Sequence, residues 1–376
     1  MWDIEAIRND MPVVKQYSFM DHAAVAPLSG RAGTAMRRFL EEAENHGYAR
    51  GGLYPESKRV RKLASKLVNC HPEELTFVKN TSEGMCHVAN GLQFSRGDNI
   101  VSTASEFPAN VYPWMNLQQS GVHFKMVPED GGRIPLERIV EAIDSRTRLV
   151  TVSAVQYASG FRTDLAALGN ACQERGVLFF VDAIQALGCL PIDVKAMKID
   201  FLSADGHKWL LGPEGAGIFY CRQELFGLVR PTGVGWLSVK DAQDFDHFNL
   251  EFRDDARRFD GGSYNLAGIW GLGASLEWLL ELGIDKIWNR VRMLTDRLAE
   301  GVREKGYRVV SSRNPGESSG IVAFVSDTHA HSRLVSHLRQ EHRTVIAARR
   351  GRLRVSPHFY NTEREIEKLI SLLPGH

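Results

Sequence analysis

The chain has 376 residues and a nearly balanced charge, because 46 lysine and arginine residues stand against 45 aspartate and glutamate residues. This length allows two or more domains, and the charge balance argues against a general nucleic-acid binder and against a protein held on a membrane surface by basic residues. Apolar residues make up 43% and charged residues 24% of the sequence, as is typical of a globular protein.

Strand-like and helix-like segments alternate through the middle of the chain. Residues 148–155 form a β-branched, mostly apolar run that is typical of a strand buried on both faces, and residues 164–174 have the pattern of an amphipathic helix. Shorter apolar runs predict further strands over 177–181, 199–203 and 217–221. The alternation predicts a mainly parallel sheet covered by helices, which binds ligands at the carboxyl ends of its strands.

The pattern changes after about residue 255, where a smaller α+β unit is predicted. Its expected helices cover 266–282, 284–305, 330–341 and 363–373, and its expected strands cover 308–311 and 319–325. We therefore predict three parts: an N-terminal segment (1–20) that packs with the small domain, a large cofactor-binding domain (21–265) and a small C-terminal domain (266–376).

The five cysteines are widely spaced and form no Cys-x-x-Cys motif. This disfavours a disulfide framework and a structural zinc site, and we expect no metal ligands. The N-terminal residues show no basic segment followed by an apolar run, and no stretch approaches the ~18 uncharged apolar residues of a membrane span. These features favour a cytoplasmic protein with reduced thiols and no membrane partner.

Two charged residues follow neighbouring predicted strands. Asp182 ends the run over 177–181, and Lys208 follows the run over 199–203. At one sheet edge they would converge on a small molecule, where a desolvated lysine can form a Schiff base and an aspartate can keep a pyridine nitrogen protonated. The spacing alone is equally compatible with a helix N-cap at Asp182 and a solvated loop lysine at Lys208.

Short motifs in one order extend over nearly the whole chain. They are Phe19–Pro27, Lys79–Gly84, Asp182-x-x-Gln185, Gly206–Pro213, Arg258–Ser263, and Leu353–Ser356 before Tyr360-Asn361-Thr362. With these motifs the chain resembles the class V aminotransferases, a family of fold-type I pyridoxal-phosphate enzymes that includes cysteine desulfurases, C–S lyases and kynureninase. The resemblance implies an α/β fold, with a mainly parallel seven-stranded sheet in the large domain and a smaller α+β C-terminal domain.

The resemblance also implies roles around pyridoxal 5'-phosphate. Lys208 corresponds to the Schiff-base lysine, Asp182 to the partner of the pyridine nitrogen, and Gln185 to the residue that contacts the phenolic oxygen. Arg354 corresponds to the arginine that binds the substrate α-carboxylate, a task for which its planar donors are suited. Gln156 lies near the position of an asparagine that contacts the substrate or the ring.

The phosphate group of the cofactor has its own set of expected contacts. Thr81, Ser82 and His207 correspond to phosphate-binding positions, and Ser263 to one that reaches the phosphate of a neighbouring subunit, which implies a homodimer with shared sites. Residues 80–83 also have the pattern of a helix start, whose free amides suit an anion, although a simple capping box gives the same pattern.

The sequence departs from the family pattern in three places. Phe107 stands where desulfurases commonly have a ring-stacking histidine, so it can stack on the ring but cannot transfer protons. Asp205 replaces a phosphate-binding serine, and we expect it to point elsewhere or to bond to His207. No cysteine follows Cys221, so the loop region over 326–352 has no sulfur acceptor, and Cys189 and Cys221 are interpreted as core thiols.

We therefore expect a pyridoxal-phosphate enzyme that acts on a small α-amino acid, by C–S lyase or elimination chemistry or by amino transfer. Epimerisation at an amino-acid centre and a cofactor-less interaction protein on the same fold remain alternatives. A dinucleotide enzyme is disfavoured, because the glycine-rich stretches at 233–235 and 268–273 lack the required spacing after a strand. The sequence does not identify the substrate.

Overall fold

A computed structural model describes residues 2–50 and 52–375. Eleven α-helices and thirteen strands are assigned among these residues. The strands are β1 (Ser18–Phe19), β2 (Leu75–Val78), β3 (Asn99–Thr103), β4 (His123–Val127), β5 (Thr147–Ser153), β6 (Leu178–Asp182), β7 (Phe201–Asp205), β8 (Gly217–Cys221), β9 (Arg308–Val309), β10 (Val322–Val325), β11 (Thr344–Val345), β12 (Ala347–Arg349) and β13 (Arg352–Val355). The helices are α1 (Ile4–Asn9), α2 (Gly30–His46), α3 (Pro55–Val68), α4 (Thr81–Gly91), α5 (Tyr112–Met115), α6 (Leu136–Glu141), α7 (Leu165–Glu174), α8 (Leu266–Leu282), α9 (Ile284–Glu304), α10 (His331–His342) and α11 (Glu363–Leu372).

Seven strands form the main sheet, in the order β2-β8-β7-β6-β5-β3-β4. The central neighbours pair in parallel, and only β8 runs against the strands on either side of it. Every residue of β3, β7 and β8 is buried, as expected for strands covered on both faces. The predicted α/β fold with a mainly parallel seven-stranded sheet is confirmed.

The helix α7 illustrates how local sequence sets the elements that cover the sheet. Its N-cap is Asp164, whose carboxylate accepts the N–H of Ala167 at 3.0 Å, and Gly176, with a φ of +64°, follows its end. The next strand, β6, then begins at Leu178. This strand–helix–strand crossover places the ends of β5 and β6 side by side at the same edge of the sheet.

A second sheet of four antiparallel strands, in the order β12-β13-β10-β9, lies in the C-terminal part. Its core includes side chains of α9, α10 and α11, and also Met20 from the N-terminal segment. The short strand β1 pairs in parallel with β11, so this segment is tied to the C-terminal part by backbone hydrogen bonds. The proposed domain limits at residues 20 and 265 stay predictions. Within the described residues, no helix is both long and apolar enough to cross a membrane.

Two buried histidines lie where the N-terminal segment meets the C-terminal part. The Nδ1 of His22 lies 2.8 Å from Ser356 O, which can only accept, so Nδ1 donates and Nε2 accepts from the Tyr360 hydroxyl at 2.7 Å. In His358, Nδ1 accepts the N–H of Phe359 at 2.8 Å, and Nε2 therefore donates to a backbone carbonyl. Both rings are neutral in this arrangement, and all four ring nitrogens are satisfied.

Acidification is expected to weaken the folded state through these histidines. Burial lowers the pKa of His358 to about 4 and lowers the pKa of His22 as well. Between the ordinary histidine pKa of 6.5 and this lowered value, the unfolded chain binds protons that the folded chain does not. The free energy of unfolding therefore falls as the pH falls through this window, and His358 alone contributes a loss of about 3 kcal/mol. Urea unfolding at a series of pH values measures this loss of unfolding free energy.

The variant His358→Gln is expected to reduce the pH slope of the unfolding free energy by up to one proton, whatever its effect on stability near neutral pH. His123→Gln, at an exposed position on β4, is the matched control and should leave the slope unchanged. An unchanged slope in His358→Gln would contradict the assignment of this histidine as neutral in the folded state.

Candidate functional site

The carboxyl ends of β6 and β7 bring the two predicted key residues together. Asp182 ends β6, Asp205 ends β7, and the two strands pair in parallel. Lys208 follows β7 by three residues. Asp182 and Lys208 are both buried, and each shifts the pKa of the other. They therefore share one site, although no hydrogen bond joins their side chains among the described residues.

Lys208 is held by a tight loop over residues 206–212. The N–H of Gly206 donates to Ala216 O at 3.0 Å, and the N–H of Gly212 donates to Gly206 O at 2.9 Å. A Cβ at position 206 would lie 2.5 Å from Ala216 O, so this approach requires glycine. The loop thus fixes the backbone from which the lysine side chain extends.

The surroundings of the Lys208 amine favour its neutral form. Burial lowers the pKa of Lys208; the carboxylate of Asp182 opposes this shift, and the guanidinium of Arg354 adds to it. The Nζ atom lies 5.5 Å from the ring centroid of Phe107. For Asp182, burial raises the pKa, the N–H of Ile184 donates to Oδ1 at 3.0 Å, and Oδ2 has no hydrogen-bond partner among the described residues. The site therefore holds a desolvated amine and a carboxylate with a free oxygen.

The N-terminus of α4 lies against the end of β7. The hydroxyl oxygen of Thr81 accepts the N–H of Asp205 at 3.1 Å, and Thr81 O accepts from the Ser203 hydroxyl at 3.1 Å. Asn80 caps the helix by accepting the N–H of Glu83 at 2.9 Å. The half-buried Ser82 hydroxyl has no partner within the part of the chain that the structure describes. This arrangement leaves hydroxyl and amide donors for an anion.

Asp205 and His207 form a pair beside this helix end. Asp205 Oδ1 accepts the N–H of Gly206 at 2.7 Å, and Oδ2 lies 2.8 Å from His207 Nδ1. This is ion-pair distance, although the ring is not aligned for a hydrogen bond, and Nδ1 is buried without one. Of the two expectations for Asp205, the structure thus shows the contact with His207.

Gln156 and Phe107 lie around a buried carboxylate, Glu106. The Gln156 amide donates to Glu106 Oε1 at 2.8 Å, and its own Oε1 is buried without a partner. Ser153 donates to the same carboxylate through its N–H, at 2.8 Å, and through its hydroxyl. Phe107 is 45% exposed and packs edge-on to Tyr157, with ring centroids 5.2 Å apart. The exposed ring of Phe107 and the amide oxygen of Gln156 are therefore available to contact a ligand.

Gln185 has a partner for each of its amide atoms. Its Nε2 donates to Ala23 O at 2.8 Å, and its Oε1 accepts from Trp209 Nε1 at 2.9 Å. One Nε2 hydrogen remains for a further acceptor. Its predicted contact with the phenolic oxygen stays a prediction, and its observed contacts connect the loop over residues 206–212 to Ala23.

Arg354 lies in β13 with only 1% of its surface exposed. Its Nη1 donates to Tyr157 O and its Nη2 to Asp21 Oδ1, both at 2.9 Å. Burial lowers its pKa, and the carboxylate of Asp21 opposes this shift. The ring of Tyr157 packs against Phe107, whose ring centroid lies 5.5 Å from Lys208 Nζ, so contacts connect Arg354 to the surroundings of Lys208.

Ser263 is not brought to Lys208 within the single chain. It is exposed and lines a cavity of about 270 Å³ with Lys79, Glu83 and His87. Its predicted contact is with the site of a second subunit, so this role stays a prediction.

Two acidic residues of the site were not assigned a role from the sequence. Asp21 lies within the motif Phe19–Pro27, but its contact with Arg354 joins residues 333 positions apart. Glu106 precedes Phe107 and receives hydrogen bonds from β5 and from the segment that follows it. The local signal for Asp21 is its place after Phe19-Met20, and the signal for Glu106 is its place three residues after the end of β3.

All five cysteines are free and lie outside the contacts described above. Cys172, Cys189 and Cys221 are buried, and Cys70 and Cys86 are partly buried. Burial raises the pKa of each thiol. The interpretation of Cys189 and Cys221 as core thiols is confirmed.

Comparisons with known proteins agree on one family. A family model described as aminotransferase class-V matches residues 18–369. A probable cysteine desulfurase of Methanothermobacter thermautotrophicus is 32% identical over 97% of this chain and 96% of that protein, and one of Pyrococcus abyssi is 30% identical over 98% and 96%. The apo structure of a cysteine desulfurase from Thermococcus onnurineus has a TM-score of 0.89 and 26% identity, covering 99% of this chain and 97% of that one.

Proposed function

The chain belongs to the aminotransferase class-V family and is a pyridoxal-phosphate-dependent enzyme, and from this premise we propose that it cleaves the Cβ–S bond of a small sulfur-containing α-amino acid without a cysteine of its own as sulfur acceptor. Lys208 is the proposed catalytic residue. The single observation that carries the proposal is the buried Lys208 just after β7, next to the strand that Asp182 ends.

The described residues fit pyridoxal phosphate in both charge and donor type. Lys208 would hold the aldehyde carbon, and the free oxygen of Asp182 would accept the pyridinium N–H. The unsatisfied hydroxyl of Ser82, the Thr81 hydroxyl hydrogen and the N-terminus of α4 would hold the phosphate, together with His207. His207 Nδ1 and Gln156 Oε1 are two buried polar atoms that form no hydrogen bond with the described residues.

When bound, the cofactor supplies an electron sink for the negative charge that develops at the substrate Cα. The chain's own residues do the rest. Arg354 binds the substrate carboxylate through its remaining N–H donors, and this orients the Cα–H bond. The Lys208 amine, whose pKa is lowered by burial, is then suited to remove the Cα proton. Phe107 covers the site with its ring and takes no part in proton transfer.

Elimination follows from the position of the thiols. A desulfurase that carries sulfur on its own cysteine needs a thiol that reaches the site and ionises readily. The sequence has no cysteine after residue 221, and burial raises the pKa of all five that it has. In direct elimination the Cα–H and Cβ–S bonds break. For cysteine and water the products would be pyruvate, ammonia and hydrogen sulfide, and no acceptor thiol is needed.

The test is an incubation of the holoenzyme with L-cysteine in the absence of any 2-oxo acid. We expect stoichiometric pyruvate, ammonia and sulfide. The variants Cys70→Ala and Cys86→Ala change the two thiols that are not fully buried, and they should retain activity within about threefold because no thiol takes part. Activity that requires an added 2-oxo acid would support amino transfer, and loss of activity in either variant would support a protein-bound persulfide.

We further propose that the working unit is a homodimer, as the resemblance implies. Phe245, Phe248 and Leu250 are 67%, 97% and 70% exposed in the single chain, and solvent-exposed apolar side chains this close together in sequence are unusual for a monomer. The exposed Ser263 would then serve the partner's site. The molar mass in solution tests this.

A further inference from the structure

The guanidinium of Arg354 is fixed by two partners before any substrate is present. Of its five N–H donors, one on Nη2 goes to Asp21 and one on Nη1 goes to Tyr157 O. Its Nε is buried and has no partner within the described residues. Three donors therefore remain, spread over all three nitrogens, and they suit a second carboxylate.

Asp21 is itself fixed by the strand that carries Arg354. It forms an isolated parallel bridge with Ser356, which follows β13. The N–H of Ser356 donates to Met20 O at 2.7 Å, and the N–H of His22 donates to Ser356 O at 3.3 Å. The backbone hydrogen bonds on both sides of Asp21 thus hold its carboxylate at a set position relative to Arg354, which is two residues before Ser356.

The pairing also balances a buried charge. A guanidinium with 1% exposure and no counter-ion would be costly, because burial removes its hydration. Asp21 supplies the counter-charge, and the groups that face it are Arg354, Arg349 and Lys208. Burial raises the pKa of Asp21, and these three cations oppose that shift. Of these, only Arg354 is hydrogen-bonded to the carboxylate.

We propose that Asp21 is a positioning residue for the substrate α-carboxylate: it holds the Arg354 guanidinium in the plane and orientation that present its free N–H donors to a carboxylate beside Lys208. This inference rests on the proposed function, since it assigns Asp21 to the same site. Asp21 acts through Arg354 and does not touch the substrate. A contact that only tied the N-terminal segment to β13 would affect stability without discriminating between substrates.

The experiment compares Asp21→Ala and Asp21→Asn in the holoenzyme, with the amino-acid substrate and its α-amide, which lacks the carboxylate. Asp21→Ala is expected to raise KM for the acid about tenfold to a hundredfold, as for loss of one charge-assisted hydrogen bond, with kcat changed less than about threefold. The amide should be unaffected. Asp21→Asn should restore most of the affinity, because its amide oxygen still accepts from Nη2.

Asp200→Ala is the matched control. Asp200 is a buried carboxylate that pairs with Arg222 at 2.9 Å, but it precedes β7, at the end of that strand opposite Lys208. Its loss is expected to lower stability and leave KM unchanged. If Asp21→Ala behaves like this control, or lowers activity on the acid and the amide equally, the inference is wrong.

A second measurement does not depend on the cofactor. The rise in unfolding temperature that the simple carboxylate propionate gives the apo protein should disappear in Asp21→Ala and persist in Asp200→Ala. If it persists in both, Asp21 does not position Arg354. A wild-type protein that takes up no pyridoxal phosphate would instead overturn the proposed function, and the propionate result would still decide the role of Asp21.

Discussion

Replacing Lys208 with alanine is expected to lower turnover by about 10³- to 10⁴-fold, because the substitution removes the group that we propose accepts the Cα proton. Among the residues that the structure describes, Lys208 is the only buried lysine. The same substitution should also remove the covalent attachment of the cofactor. Borohydride reduction of the wild-type holoenzyme should add the mass of the cofactor to the peptide that contains residue 208, and no such adduct should form in Lys208→Ala.

Lys195→Ala provides the matched control, since Lys195 is an exposed lysine between β6 and β7. It should keep its activity, its visible absorbance and its borohydride adduct. A Lys208→Ala protein that still forms the adduct would show that another lysine holds the cofactor. The proposed site would then be wrong, whatever the activity of the variant.

Asp182→Asn is expected to have the second largest effect, a fall in kcat of about 10²- to 10³-fold. The asparagine side-chain oxygen can still accept the N–H of Ile184, which Asp182 now binds at 3.0 Å, so the local fold should persist. The negative charge that we propose keeps the ring nitrogen protonated is lost, and with it much of the stabilisation of charge at Cα would be lost. Steady-state kinetics on a variant shown to be loaded with cofactor measures the effect.

The control for this change is Asp164→Asn. Asp164 caps α7 at the surface, and an asparagine can make the same cap. This variant should match the wild type in kcat and in unfolding temperature. If Asp182→Asn also keeps full kcat, Asp182 is a structural residue at the end of β6. The alternative interpretation from the sequence, a helix N-cap, would then apply.

Much of the large sheet follows from local patterns in the sequence. The strand β8 and the helix α8 have the predicted limits, and β5, β6 and β7 differ from theirs by one to two residues. These elements are long apolar runs or clear periodic patterns, so burial alone specifies them. The same logic predicts Asp182 and Lys208 at neighbouring strand ends, and in the structure Asp182 ends β6 while Lys208 follows its parallel neighbour β7.

Other parts depend on contacts between distant residues. The strands β12 and β13 were not predicted, because residues 347–355 are rich in arginine and the alternation of arginine with Leu353 and Val355 covers only four residues. Arg354 is buried there only because Asp21 and Tyr157 O satisfy it. No local signal in the sequence specifies such a pair. The predicted contact of Ser263, in turn, would require a second subunit.

The pairing of the two ends of the chain has a consequence for synthesis. The subsite around Arg354 joins residues 21 and 354, and β1 can pair only when β11 exists. While the ribosome is still making the C-terminal part, the large sheet and the ends of β6 and β7 can already form, but the segment around residues 18–23 has nothing to bind. The polypeptide therefore gains its lysine loop early and its proposed carboxylate subsite later. On the proposed function, the chain can select an amino acid only after residue 354 has left the ribosome.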